Sequence, residues 1–203
     1  AFSHGCNMWN DRIQDLCADL TRTNLRTAEG AIALTDWPSR IAAARQLIKQ
    51  WKYLPLQQRT AAVDDLYQLN AASEYPCRMM DIAQLQQLAA SGVTLGAHTK
   101  HHPILKSLSS AEQQAEITQS KAELELWLQQ PVEHFAYPNG AQDRDFDEVA
   151  IGHVTAAGFR SAVVTNWGTS NRSTSPFLLK RFTPWDVKPW MFHGRLISNL
   201  LKK

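Results

Sequence analysis

The sequence is short of the features that mark most specialised classes. No apolar run approaches the ~18 residues that a membrane-spanning helix needs. Charge of neither sign is in excess: 21 Lys and Arg stand against 19 Asp and Glu, a formal net charge of +2 over 203 residues. The basic residues are scattered, which argues against a nucleic-acid binder, whose footprint is a basic stripe or patch. Cysteine is scarce. Cys6, Cys17 and Cys77 are odd in number and lack C-x-x-C spacing, which excludes a disulfide framework and a structural zinc knuckle. Buried, reduced thiols are expected instead, and with them a cytoplasmic location. No charged-then-apolar leader opens at Ala1; a leader preceding Ala1 stays an open alternative. With 9 Gly and 9 Pro, the chain is neither collagenous nor of low complexity. What remains, 44% hydrophobic and 20% charged, is the composition and size of one globular domain.

Hydrophobic periodicity predicts a helix over 8–20, with Ile13, Leu16, Cys17 and Leu20 recurring at helical spacing. A loop over 21–29 and a short strand over 31–34 follow. A helix over 38–52 is expected to bury Ile41, Ala44, Leu47, Ile48 and Trp51, and one over 56–70 to bury Ala62, Leu66 and Leu69. From residue 79 the pattern sharpens. Asp81 caps a helix that Gly92 ends, and Val93–Ala97 reads as a short buried strand. Ser109 and Glu112 form a capping box that opens a helix to Leu128. Strands are expected over 132–137, 159–165 and 177–182, with a helix over 148–157 closed by Gly158 and a last helix after Pro189. This alternation is the α/β pattern. It puts ligand-binding groups on loops at the carboxyl ends of the strands.

Two polar clusters fall on such loops. The first is Gly96-Ala97-His98-Thr99-Lys100-His101-His102-Pro103. His98 and His102, four apart on a loop or single turn, can reach one ion, and neutral imidazole suits Zn, Co, Ni or Fe(II). Thr99 stands where the protease motif H-E-x-x-H has its base, so a metalloprotease is disfavoured. Three surface histidines beside a strand is the plainer alternative. His101 is expected to turn away from its neighbours, and Thr99 to hold the loop by bonding to backbone. The second cluster is Phe135-Ala136-Tyr137-Pro138-Asn139-Gly140. Pro-Asn-Gly is a tight turn, and such a turn can also aim an N–H at a developing oxyanion. Beyond these, Trp167 in Thr165-Asn166-Trp167-Gly168 either walls a sugar pocket or packs the core. Arg181 is either an ion-pair partner or a substrate contact.

Together these pieces resemble the polysaccharide deacetylase domain of carbohydrate esterase family 4. The His-[Ser/Thr]-x-x-His-Pro motif is His98 to Pro103, and the Phe-x-x-Pro-x-Gly motif is Phe135 to Gly140. Met8-Trp9-Asn10-Asp11, Arg181-Phe182 and Thr183-Pro184-Trp185 are similar to one bacterial subgroup. The resemblance covers 79–182 well and 1–78 loosely. It implies a distorted (β/α) barrel and removal of acetyl from N-acetylated glycans. It also implies a divalent metal, with zinc expected, held by His98, His102 and an Asp. On the same basis Thr99 braces the loop, the Asn139 N–H helps bind the oxyanion, and Tyr137, Trp167 and Arg181 meet the sugar. The family's Thr-Phe-Asp-Asp motif, which supplies the general base and the metal Asp, is absent, and is expected to precede Ala1. Ala136 stands where many members carry an Arg that pairs with that base. No Leu-x-x-His motif is found near the C-terminus, and His193 is a poor substitute.

The expected architecture is therefore one α/β domain over 1–203 lacking its first strand or strands, with 21–76 as a helical insertion. The strands present are expected to leave the barrel open beside His98. The expected function is metal-dependent N-deacetylation of a glycan, by a truncated chain expected to show no turnover on its own. The alternatives are a non-catalytic glycan-binding relative and another deacylase on the same scaffold, acting on a nucleotide sugar. No nucleic-acid partner is expected.

Overall fold

The computed structural model describes residues 7–182 and 186–201. Cys6, the 1–5 segment and Thr183-Pro184-Trp185 lie outside them. The chain divides into two compact units, Ala1–Gln84 and Leu85–Lys203.

In the first unit, helix α1 (Trp9–Ala18) precedes a hairpin of β1 (Asn24–Thr27) and β2 (Gly30–Ala33), followed by α2 (Trp37–Trp51) and α3 (Leu56–Leu69). The stretch expected to be a loop over 21–29 thus contains a strand. Leu25, wholly buried, anchors it opposite Ile32, and Gly30 takes the positive φ of 134° that the return requires. Helix α2 starts where Asp36 and Ser39 cap it reciprocally. Its buried face differs from the expected one: Ile41 is exposed, while Arg40 is buried with Ala43, Ala44 and Leu47. The reason is polar. Four carbonyls converge on the Arg40 guanidinium, which donates to the oxygens of Cys17 (2.9 Å), Asp19 (2.8 Å), Arg22 (2.7 Å) and Leu34 (3.0 Å). A guanidinium carries five donors, so one side chain satisfies the end of α1 and both flanks of the hairpin. In α3, Val63, Leu66 and Tyr67 point inward and Leu69 is exposed.

Helix α4 (Ile82–Ala90) is capped by Asp81, whose carboxylate accepts the Gln84 N–H at 2.8 Å. The second unit is built on three parallel strands in the order β3 (His134–Ala136), β4 (Ser161–Val164), β5 (Leu179–Lys180). Helices α5 (Ser110–Leu128) and α6 (Glu148–Ala156) connect and cover them. The Ser109–Glu112 capping box forms as the spacing predicts. The core joins Leu105, Ile117, Val132, Phe135, Phe146, Val154 and Phe159. Helix α7 (Pro189–Leu201) closes the chain, with Trp190, Ile197 and Leu201 exposed.

The expected strand over 93–97 is reduced to a single parallel bridge, Ala97 to Phe135. Ala97 donates to His134 O (2.8 Å) and accepts from Ala136 N (2.9 Å), while Val93 is exposed. Gly96 permits this approach, because a Cβ there would stand 2.9 Å from His134 O. Among the described residues the sheet is open and no closed barrel forms; three short strands and one bridge fall short of the ~8 strands such a closure takes.

Candidate functional site

Parallel strands end on the same edge of the sheet, so the loops after Ala97, β3, β4 and β5 gather at one place. His98 follows Ala97, Asn139 follows β3, Thr165 and Trp167 follow β4, and Arg181 follows β5.

The rings of His98 and His102 lie edge to face with centroids 4.8 Å apart. Nδ1 of His98 sits 2.5 Å from the Ala136 carbonyl oxygen, which assigns the proton to Nδ1 and leaves Nε2 as the electron-pair donor. Burial holds the His98 pKa below the ordinary imidazole range; the Ala136 carbonyl works against this, and the positive charge of Arg181 adds to it. A neutral imidazole with its second nitrogen fixed by a carbonyl is the state in which histidine binds metal.

The backbone of this loop is unusual. Thr99 (φ 62°) and His102 (φ 53°) are both left-handed, a conformation that costs a non-glycine residue about 1 kcal/mol or more and persists only where the surroundings impose it. Among the described residues Thr99 bonds locally, from Oγ1 to the His98 carbonyl at 2.6 Å. The external brace is Glu116 on α5. Its Oε2 accepts the N–H groups of Lys100 (3.0 Å) and His101 (2.9 Å), and its Oε1 meets His101 Nδ1 at 2.6 Å. Burial works to raise the Glu116 pKa, but the hydrogen bonds from the His101 ring and the two N–H groups outweigh it and hold it below the usual carboxylate range. His101 is therefore turned to α5, away from the His98–His102 pair.

The second cluster is equally constrained. Asn139 is left-handed (φ 59°), its carbonyl accepts from Thr165 Oγ1 at 2.8 Å, and Thr165 N donates to Gly140 O at 2.8 Å. A Cβ on Gly140 would meet Thr165 Cγ2 and Tyr137 O at 3.1 Å. The buried carboxylate of Asp145 accepts the Ala141 N–H at 3.0 Å, and Asn166 Oδ1 accepts that of Gln142 at 3.0 Å. The Asn139 N–H has no acceptor among the described residues. Asn139, Thr165, Trp167 and Arg181 line a cavity of about 300 Å³ together with Arg195 and Asn199 of α7. Asn199 is buried and pairs its amide with both backbone groups of Gly168 (2.8 and 3.1 Å).

Tyr137, expected at the sugar, does not line the cavity. It is wholly buried, stacked on Phe146 at 3.9 Å and 6°, and edge-on to Phe135. Its alternating position in β3's extension points it to the core. Glu116, Arg195 and Asn199 were not foreseen. Gln113, Glu116 and Ser120, all buried and spaced along one row of α5, are the signal for the first: polar residues at helical spacing beside an apolar stripe.

His98 and His102 fit two positions of a metal site. Among the described residues no group of three His, Cys, Asp or Glu could complete one.

Residues 66–157 match the sequence model of the polysaccharide deacetylase family. The resemblance carried by the two loop motifs is thus a polysaccharide deacetylase resemblance. Among solved structures, the chain is similar to the Streptococcus pyogenes deacetylase PplD in complex with acetate: 22% identity, 66% of this chain and 54% of that one, TM-score 0.50. IcaB from Ammonifex degensii matches at 19% identity over 59% and 52%, with a TM-score of 0.47. A polysaccharide deacetylase from Bacillus cereus matches at 21% over 51% and 32%, with a TM-score of 0.44. At such identities the likeness is one of fold, and the chain spans about half the length of PplD, 54%. No curated protein matches the chain.

Proposed function

We propose that this chain contributes the histidine loop, the oxyanion turn and the sugar cavity of a metal-dependent glycan N-deacetylase. The observation that carries the reading is the convergence of His98, Asn139, Trp167 and Arg181 at one edge of a parallel sheet. His98 and His102 would hold a divalent ion, with zinc the expected one. Such an ion polarises a carbonyl and lowers the pKa of water. The chain's own part is positional. Burial keeps His98 neutral, and the Ala136 carbonyl fixes the tautomer that presents Nε2. Glu116 fixes the loop so that both rings share one side. The Asn139 N–H would face oxygen charge developing on the acetyl group, and Trp167 offers an apolar face to a sugar ring. The general base and the third metal ligand are assigned to no described residue.

The test is zinc binding measured calorimetrically and by elemental analysis after dialysis. Wild type and His101→Ala should bind one ion, while His98→Ala and His102→Ala should lose it. Equal loss from His98→Ala and His101→Ala would refute the assignment. Acetate release from N-acetylated chito-oligosaccharides that a chelator abolishes would favour the enzyme over the glycan-binding relative.

A further inference from the structure

Resting on the glycan reading above, we propose that the glycan is anionic, and that Arg181 binds its carboxylate or phosphate in the cavity beyond β3–β5. Among the described residues that line this cavity, the charged ones are Arg181 and Arg195, and none is Asp or Glu. The two guanidiniums are not equivalent. Arg195 is neutralised by a two-pronged pair with Asp186, which is almost fully buried, and it lies over the Trp167 ring at 5.6 Å. It is a wall of the cavity rather than a free charge. Arg181 is fixed through its backbone, its N–H donating to Val164 O at 3.0 Å. Its side chain is exposed and meets no acid among the described residues.

A neutral N-acetylated sugar presents hydroxyls and amides, which the side chains of Asn139 and Thr165 can serve. It gives a full positive charge nothing to balance. A carboxylate or phosphate on the sugar supplies that balance, and its geometry matches the planar fork of arginine. The stacking face of Trp167 and the fork of Arg181 would then read the two ends of one anionic saccharide unit.

Calorimetric titration of the intact chain decides the matter with three ligands. They are neutral tetra-N-acetylchitotetraose, a hyaluronan tetrasaccharide that alternates N-acetylglucosamine with glucuronate, and N-acetylglucosamine 1-phosphate. One of the anionic ligands should bind roughly tenfold more tightly than the neutral one, the gain of a charge-assisted hydrogen-bond pair at a partly exposed site. Which of the two does so tells carboxylate from phosphate. The advantage should shrink as salt rises from 25 to 250 mM, on the order of the change that screening brings. Arg181→Gln should abolish the advantage, weakening the anionic ligand roughly tenfold more than the neutral one. Equal affinity of the wild type for neutral and anionic ligands overturns the proposal, as does an Arg181→Gln chain weakened equally for both. Failure of all three ligands to bind overturns the glycan reading itself, and the two failures are thereby distinguishable.

Discussion

Replacing Glu116 by alanine tests what holds the histidine loop. Three hydrogen bonds to one carboxylate are removed: two from the N–H groups of Lys100 and His101, one at the His101 ring. Hydrogen bonds to a charged group are worth roughly 1.5–3 kcal/mol each when buried. Here Lys100 is half-buried and His101 exposed, so water can reach the freed N–H groups and each bond falls below that range, to roughly 0.5–1 kcal/mol, about 2 kcal/mol for the three. The loop also stores the cost of two left-handed residues, Thr99 and His102. Without Glu116 it should open locally before the unit melts. Hydrogen exchange at the Lys100 and His101 amides should then accelerate roughly 30-fold, the equivalent of 2 kcal/mol. Glu116→Gln keeps a carbonyl oxygen for the two N–H groups and should lie between wild type and alanine. The pH dependence has a definite sign. A carboxyl held low in the folded state stabilises the loop above its unfolded pKa, and that stability is lost as pH falls through the lowered folded value. Wild type should lose loop protection there, and Glu116→Gln should not. Exchange at Lys100 and His101 within about threefold of wild type in Glu116→Ala would refute the reasoning, since so small a change is under 1 kcal/mol.

Tyr137→Phe removes a buried hydroxyl that has no partner among the described residues; thermal stability should hold or rise by up to ~1 kcal/mol, and a loss above ~2 kcal/mol in melting would show a hydrogen bond to that oxygen. Gly96→Ala places a Cβ 2.9 Å from the His134 carbonyl, backbone against which nothing can rotate away, so denaturant melts should show a loss of roughly 1–3 kcal/mol; a neutral result would deny the close approach. Burial pushes the Cys17 thiol up to about 11 against the opposing charge of Arg40, so at pH 8 iodoacetamide should label exposed Cys77 and spare Cys17 until denaturant is added, as mass spectrometry can read; equal labelling would mean an open core.

Periodicity located most helices to within a residue or two, because each is bounded by a local signal: Asp36 before α2, Ser109 and Glu112 around the start of α5, Gly158 after α6. It failed where a non-local contact decides. Nothing in the composition of Asn24–Thr27 announces a strand; the pairing with β2 makes it one. Likewise Val93–Ala97 has the residues of a strand, but only Ala97 finds a partner. On α2 Ala44 and Leu47 are buried as the apolar spacing predicts, but Ile41 is exposed and Arg40, with its four carbonyls, takes the buried edge instead.

The candidate site divides along the same line. The four-residue spacing of His98 and His102, with Pro103 behind it, was enough to put two rings together, and they meet at 4.8 Å. Spacing says nothing of what keeps them there. Among the described residues Thr99, which the motif offers for that task, bonds to its neighbour's carbonyl. The restraint comes instead from a carboxylate fourteen residues past His102, on the helix that the loop leads into. That arrangement has a chemical logic. It leaves the second ring nitrogen of His98 to the Ala136 carbonyl, a partner of the kind that fixes a ligand's tautomer. Glu116 takes the third histidine and the backbone, so the loop is held by charge while burial keeps His98 neutral and the Ala136 carbonyl fixes its tautomer. His101, which spacing alone marks as a bystander, thereby joins Lys100 in tying the loop to α5.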